Sequence, residues 1–285
     1  MKTFKTAFLL TALTLLLLLL GQAFGGRGGM TIALAFAIIM NGVAYFYSDK
    51  IALASSGARP ISREEAPRLY AVMERLAGKA NLPMPKLYLI PQPAPNAFAT
   101  GRNPTHASVA VTQGLLELMN DEELEGVIAH ELSHVRNYDI LTSSIAATIA
   151  GAITWIAYTG RWAMIFGGWG SGGDNDREGG GITALFMLIA APLAATLLQL
   201  GISRQREYQA DASGAKMVGY PNGLISALEK LGAYNKRIPM DVPPSTSSLF
   251  IVAPLNARRL FASLFSTHPP LEDRIARLRE MTITR

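Results

Sequence analysis

The chain has 285 residues, 26 Lys and Arg against 21 Asp and Glu, a net charge of +5 and no cysteine. Disulfides and thiolate metal sites are therefore excluded, and no interleaving of basic with aromatic residues gives a footprint for nucleic acid. The hydrophobic share, 49%, is ordinary for a soluble protein, but the charged residues, only 16%, lie between long apolar blocks.

The first block, residues 4–20, follows Lys2 and contains Lys5 and an unbroken leucine run from Leu15 to Leu20. The second, residues 30–47, carries no charge. Each is long enough to cross a hydrocarbon core of about 30 Å as a helix. A Gly-rich turn, residues 21–29, joins them on the outer side of the membrane. Gly21-Gln22-Ala23 also fits a cleavable leader, but the second apolar block follows so closely that an uncleaved span is favoured.

Residues 62–78 read as a helix with Leu69, Val72, Met73 and Leu76 on one face. Residues 86–90 and 107–112 read as short strands bounded by Pro and Gly. Between them, residues 96–99 fit two descriptions. One is an edge strand that pairs with an extended substrate backbone; the other is a plain hairpin strand.

Residues 120–137 form a predicted helix. Asn120 or Asp121 caps it, and Glu122 and Glu123 suit its positive end. Leu124, Val127, Ile128, Leu132 and Val135 share a face. Inside it stands His130-Glu131-Leu132-Ser133-His134. Histidines four apart on a helix lie on one face and reach one ion. Zinc accepts neutral imidazole and keeps a position for water when the protein supplies three ligands. Glu131 stands beside that water and can take its proton. At 100° per residue, Glu131 falls within roughly 40° of the centre of the apolar face. A carboxylate there needs a partner or a task, and burial raises its pKa toward that of a general base. The bland alternative is a salt-bridged glutamate between incidental histidines. Against it, the chain has only four histidines, His106, His130, His134 and His268. The pentad reads as a metal site for hydrolysis, most often of a peptide bond.

Residues 141–160 and 182–202 are again free of charge, and each reads as a further span. The Gly-rich stretch 167–181, with Asp174, Asp176, Arg177 and Glu178, forms an outer loop. A buried hairpin inside a soluble domain is the alternative for this pair. Basic residues orient the whole. Lys50, Arg59, Arg63 and Arg68 follow the second block, Arg136 precedes the third, and Arg204 and Arg206 follow the fourth. The opposite side holds Arg27, Arg161 and Arg177. The excess of basic residues places the termini and the pentad in the cytoplasm. Trp155, Trp162 and Trp169 sit near the outer end of the third span, where interfacial aromatics are common.

Residues 203–211 read as a helix on which Glu207 and Asp211 share a face. One carboxylate can ligate the metal while the other holds a ligand histidine by its free N–H. Ordinary ion pairs with Arg204 or Lys216 are the alternative. His134 precedes the third block and Glu207 follows the fourth. They can meet only if the intervening chain crosses the membrane an even number of times, which puts the metal near the inner membrane surface. Residues 235–254, rich in Pro and Ser, read as a loop beside the cleft. His268, before two prolines and a basic helix at 271–279, serves either as a donor to substrate or oxyanion or as a cap for that helix.

H-E-L-S-H at 130–134, the charge-poor hairpin and S-R-Q-R-E-Y-Q-A-D at 203–211 resemble the HtpX family of membrane zinc metalloproteases. P-N-A-F-A-T-G at 95–101 and S-T-H-P-P at 266–270 extend the likeness over nearly the whole chain. That family is related to the CAAX prenyl proteases among the gluzincin-type peptidases. The resemblance implies His130, His134 and Glu207 as ligands of one zinc ion per chain and Glu131 as the catalytic base. It implies a bacterial inner membrane, quality control of misfolded or damaged membrane proteins under stress, and self-cleavage. The expected fold is a mainly α integral membrane protein, with four transmembrane helices and a cytosolic α+β zincin-like (gluzincin) protease domain. Residues 1–48 would form one membrane hairpin and 141–202 the other. Residues 49–140 and 203–285 would form the two parts of the protease domain. The expected partners are unfolded or membrane protein substrates and the lipid bilayer, without nucleic acid. Two other readings are a site-specific processing protease for prenylated or membrane-tethered peptides and a non-catalytic zinc-containing membrane adaptor. Glu131 counts against the adaptor, since a structural metal needs no base.

Overall fold

A computed structural model describes residues 2–167, 204–235, 237–238, 240, 242–254 and 268–282. The first element, α1 (Lys2–Ser55), is two helices broken at Gly26, where φ is 58° and ψ is −144°. Glycine takes that conformation without steric cost. The two limbs fold back on each other: Asn41 Nδ2 donates to Thr14 Oγ1 at 2.8 Å. The apex falls inside the predicted turn. The second limb, Gly25–Ser55, has 31 residues and is, among the described residues, the one helix long and apolar enough to cross a membrane. At 1.5 Å per residue it spans about 46 Å, more than a hydrocarbon core of about 30 Å. It leaves Ile32, Phe36, Ile38, Ile39 and Phe46 exposed, the surface a lipid-facing helix presents. Thr6–Leu19 and Asp139–Ile153 are shorter apolar helices. The fourth predicted span, 182–202, and most of the loop before it lie outside the described residues.

The third predicted span belongs to α5 (Asp139–Gly167), which starts earlier and runs further than the charge-free block. It packs against both limbs of the first hairpin, with Leu9, Leu13 and Ala44 in one apolar cluster with Ile145, Ile149 and Ala150. Thr6 and Thr142 bring their hydroxyls within 3.0 Å of each other in that interface, as small polar residues do between membrane helices.

The remaining chain builds a four-stranded mixed sheet with helices against it. Its strands are β1 (Arg59–Pro60), β2 (Lys86–Ile90), β3 (Ala97–Gly101) and β4 (Ala107–Thr112), in the order β1-β2-β4-β3. β1 runs antiparallel to β2, β2 parallel to β4, and β3 antiparallel to β4. Residues 97–101 form a hairpin strand with β4, and β3 is also the last strand of the sheet, as an edge strand must be. α2 (Pro67–Lys79) buries Leu69, Val72, Met73 and Leu76 as predicted, but begins later than residue 62 because Pro67 opens the helix.

After α3 (Gln113–Leu118), the helix α4 (Asp121–Asn137) runs through the middle of the core. Its Leu124, Val127, Ile128, Leu132 and Val135 share one cluster with α2, the sheet and Leu224, Leu228 and Leu278 of the C-terminal helices. Those helices are α6 (Arg204–Val218), α7 (Asn222–Asn235) and α9 (Leu271–Arg279). Among its described residues, the predicted loop 235–254 contains one helical turn, α8 (Pro244–Ser247). Beyond it the chain lies along the edge of β3, where Ile251 N donates to Ala97 O at 2.9 Å.

Candidate active site

The geometry of the site begins with the ends of α4. At its start, the Asn120 side chain accepts from Glu123 N while the Glu123 carboxylate accepts from Asn120 N, a reciprocal capping box. Asp121, Glu122 and Glu123 place negative charge on the positive end of the helix. At its finish, Tyr138 adopts a left-handed conformation with φ 62° and ψ 23°. A bulky residue is rarely found there. This single residue turns the chain from α4 directly into α5, and it brings Asp139 Oδ2 to 3.4 Å from His134 Nδ1.

α6 crosses α4 very closely. A β-carbon added at Gly214 would stand 3.0 Å from His130 N and 3.1 Å from Ala129 C, so any larger residue would press α6 back from α4 by a few tenths of an ångström. The close crossing carries Glu207, on the same helix, onto the histidine pair. One donor atom each from His130, His134 and Glu207 all lie within 4.8 Å of one another. The two Nε2 atoms are 3.2 Å apart. Glu207 Oε1 is 3.5 Å from His134 Nε2, and its Oε2 is 3.8 Å from His130 Nε2. Ligand atoms held tetrahedrally at zinc–nitrogen distances stand about 3.3 Å apart. The donor set and its spacing therefore fit a single small dication.

The other nitrogen of each imidazole points away from this centre toward a carboxylate. His130 Nδ1 lies 2.8 Å from Asp211 Oδ1, and His134 Nδ1 faces Asp139. Each aspartate is held in turn by an arginine. Arg274 donates to Asp211 through Nε at 2.8 Å and Nη2 at 2.6 Å, and Arg206 Nη1 donates to Asp139 at 3.2 Å. Such outer partners fix the tautomer that leaves Nε2 free to coordinate. Glu207 has its own neighbour, His268, whose Nδ1 is 3.2 Å from Oε2.

Electrostatics follow from burial and from this crowding of charge. Burial lifts the Glu131 carboxyl to about 7. Burial pushes the His134 imidazole down, but Glu207 and Asp139 more than reverse that and hold it at about 9. Burial lowers His130 despite Asp211. Burial would raise Glu207, yet His268, His134 and His130 keep it well below the ordinary carboxylate range. Burial likewise opposes, and Arg274 overcomes, so that Asp211 falls to about 2. The centre is an anionic pocket that draws a proton onto a histidine, and a dication answers the same field.

Glu131 is 2% exposed. It takes one hydrogen bond from the Ala99 backbone on β3, while its Oε1 has no partner among the described atoms. Glu131 lines a cavity of about 30 Å³ together with His130, His134, Glu207, His268 and Ser248 to Ile251, room for a water or two.

The structure thus brings all four predicted residues, His130, Glu131, His134 and Glu207, to one place, with Asp211 behind His130 and His268 beside Glu207. Asn96 does not reach the centre, and its side chain instead binds the backbone of Val252. His106 is exposed and hydrogen-bonds with Asn103 and Thr105, apart from the site. Sequence reasoning missed Asp139, Arg206 and Arg274. For Arg274 a signal existed: it lies between Leu271 and Leu278 on the apolar stripe of α9, and it is fully buried. Asp139 carried none, because its approach depends on the left-handed turn at Tyr138.

The model of peptidase family M48 matches residues 63–282. Curated relatives described as "Protease HtpX homolog" match nearly the full length. That of Desulfatibacillum aliphaticivorans is 58% identical over 274 residues, covering 96% of this chain and 88% of its own. Those of Syntrophobacter fumaroxidans and Pelotomaculum thermopropionicum are 52% and 50% identical, covering 98% and 99% of this chain and 99% and 100% of theirs. Among solved structures, that of S. mikatae Ste24p is similar with a TM-score of 0.54 at 23% identity. The match covers 97% of this chain and 64% of that one, and it bears on fold alone.

Proposed function

We propose that this chain, which belongs to peptidase family M48 and to the HtpX proteases and is a metalloprotease, is an endopeptidase that uses one zinc ion held by His130, His134 and Glu207. The observation that carries the reading is the orphaned Glu131 Oε1, buried and raised to about 7 beside the three converging donors. Bound there, zinc would supply Lewis acidity, polarising a peptide carbonyl and acidifying a water. The rest falls to side chains. Glu131 receives the proton of the attacking water at Oε1 and returns it to the leaving amine. Asp211 and Asp139 hold the two imidazoles with Nε2 inward.

We further read the chain as embedded in a bacterial inner membrane by four spans, with the site facing the cytoplasm. The exposed apolar limb Gly25–Ser55 supports the first hairpin. The position of α4 and α6 at the ends of the second apolar pair supports an even number of crossings between His134 and Glu207. The substrates proposed are misfolded or damaged membrane proteins, in keeping with quality control under stress.

The test is a chelator-sensitive casein digestion with the purified, zinc-loaded protein. Glu131→Gln should lower the rate by about 10²–10⁴-fold while metal analysis still finds zinc. Glu207→Ala should lose zinc. Undiminished cleavage by the Glu131 variant, or full zinc occupancy in the Glu207 variant, would refute these roles.

A further inference from the structure

The outer edge of β3 is already taken. Ala97 O accepts from Ile251 N at 2.9 Å. The Asn96 side chain adds a second rung, donating from Nδ2 to Val252 O at 2.7 Å and facing Val252 N through Oδ1 at 3.4 Å. Ile251 and Val252 pack to one side of this contact and Leu249 and Phe250 to the other. Ile251 enters the cluster that holds Ala97 and Ala99, whereas Phe250 enters a separate cluster, edge-on to Phe98 with ring centroids 4.9 Å apart. The same segment runs over the site. Ser248 O lies 3.2 Å from His268 Nε2, and Ile251 O accepts from Arg274 Nη1 at 2.8 Å. The cavity beside Glu131 is small, about 30 Å³, and Ser248, Leu249, Phe250 and Ile251 form part of its wall.

We propose that residues 248–252 act as an internal competitor lying where a substrate strand would lie, and that a substrate gains the site by displacing them. The proposal rests on the protease reading above. It also names a substrate class. The seat vacated by Phe250 is apolar, with Phe98 at its floor and Ile90, Met240 and Val242 around it. A chain that takes it presents a large aromatic or aliphatic side chain on an extended backbone. Folded soluble proteins bury such segments; unfolded and membrane-spanning chains expose them. The same contact protects an otherwise open edge from indiscriminate pairing.

Four measurements on the full-length, zinc-loaded protein in detergent test this. Casein cleavage by the wild-type chain reports on the protease reading itself, and its absence from wild type and every variant would sink that reading. For the competitor, Ala97→Cys is combined with Ile251→Cys. Paired backbones lie about 4.8 Å apart, within disulfide span, and the chain has no other cysteine. Oxidation should cut casein cleavage at least tenfold, roughly the scale of a closed-state population effect, and reductant should restore it. A verified crosslink that leaves the rate unchanged overturns the proposal. Phe250→Ala should lower KM by about tenfold with kcat unchanged, and a raised KM in a cooperatively folding variant overturns it. A last readout needs no cleavage. On saturating the Glu131→Gln protein with unfolded casein, the Ile251 amide should lose its protection from hydrogen exchange. Retained protection under bound casein overturns the proposal.

Discussion

At the scale of single residues, the site is a set of paired carboxylates with opposite tasks. His268, His134 and His130 hold Glu207 well below the ordinary carboxylate range, while burial lifts Glu131 to about 7 and leaves it one oxygen without a hydrogen-bond partner. The division was legible in the sequence for Glu131, because helix phase alone placed it on the apolar face, and it is indeed buried. For the outer carboxylates it was half legible. Asp211 shares a face with Glu207 by spacing, but Asp139 reaches His134 only through a backbone conformation that no propensity announces. Asp139→Asn tests what that conformation is for. It keeps the shape and loses the charge, and it should weaken zinc about tenfold in a competition with a chelator. Unchanged affinity would mean that His134 is oriented without it.

At the scale of elements, α4 is stabilised at one end and used at the other. Its capping glutamate is also a buried anchor: Glu123 Oε2 accepts from Lys230 Nζ at 2.7 Å and Oε1 accepts from Ser226 Oγ at 2.6 Å. Burial raises this carboxyl, and the Lys230, Ser226 and Asn120 hydrogen bonds outweigh that, leaving its pKa below the ordinary value. A carboxyl depressed on folding stabilises the protein above its unfolded pKa, near 4.3, and that contribution is lost as pH falls through the folded value. Glu123→Gln should therefore cost about 1–2 kcal/mol at neutral pH, with the gap to wild type narrowing below about pH 4.3. Denaturant unfolding across pH measures this, and a gap independent of pH would contradict it. The caps and apolar stripes of α2 and α4 were readable from the sequence because they are local. The edge position of β3 was not decidable, because it depends on a strand order in which β4 lies between β2 and β3. Nor could Pro and Ser composition reveal that the loop after α7 returns to pair with that edge.

At the scale of the whole molecule, the apolar hairpin and the hydrolytic core are one packed body. α5 touches the first hairpin on one side and β3 on the other, where Ser144 and Thr100 bring their hydroxyls to 2.7 Å. Orientation across the bilayer is open to a direct check, since the absence of native cysteine leaves a clean background. Arg27→Cys, next to the apex at Gly26, should react with a membrane-impermeant maleimide on intact cells, and Asn103→Cys only after permeabilisation. The reverse pattern would invert the proposed topology. The left-handed residue at 138 then has a mechanical meaning. Because one residue joins the helix of the histidines to the helix that packs on the apolar hairpin, the two form a rigid corner at Tyr138. The angle at that corner sets where Asp139 stands against His134, 3.4 Å away, so the packing of α5 on the hairpin and the aim of a site imidazole are fixed by one backbone conformation.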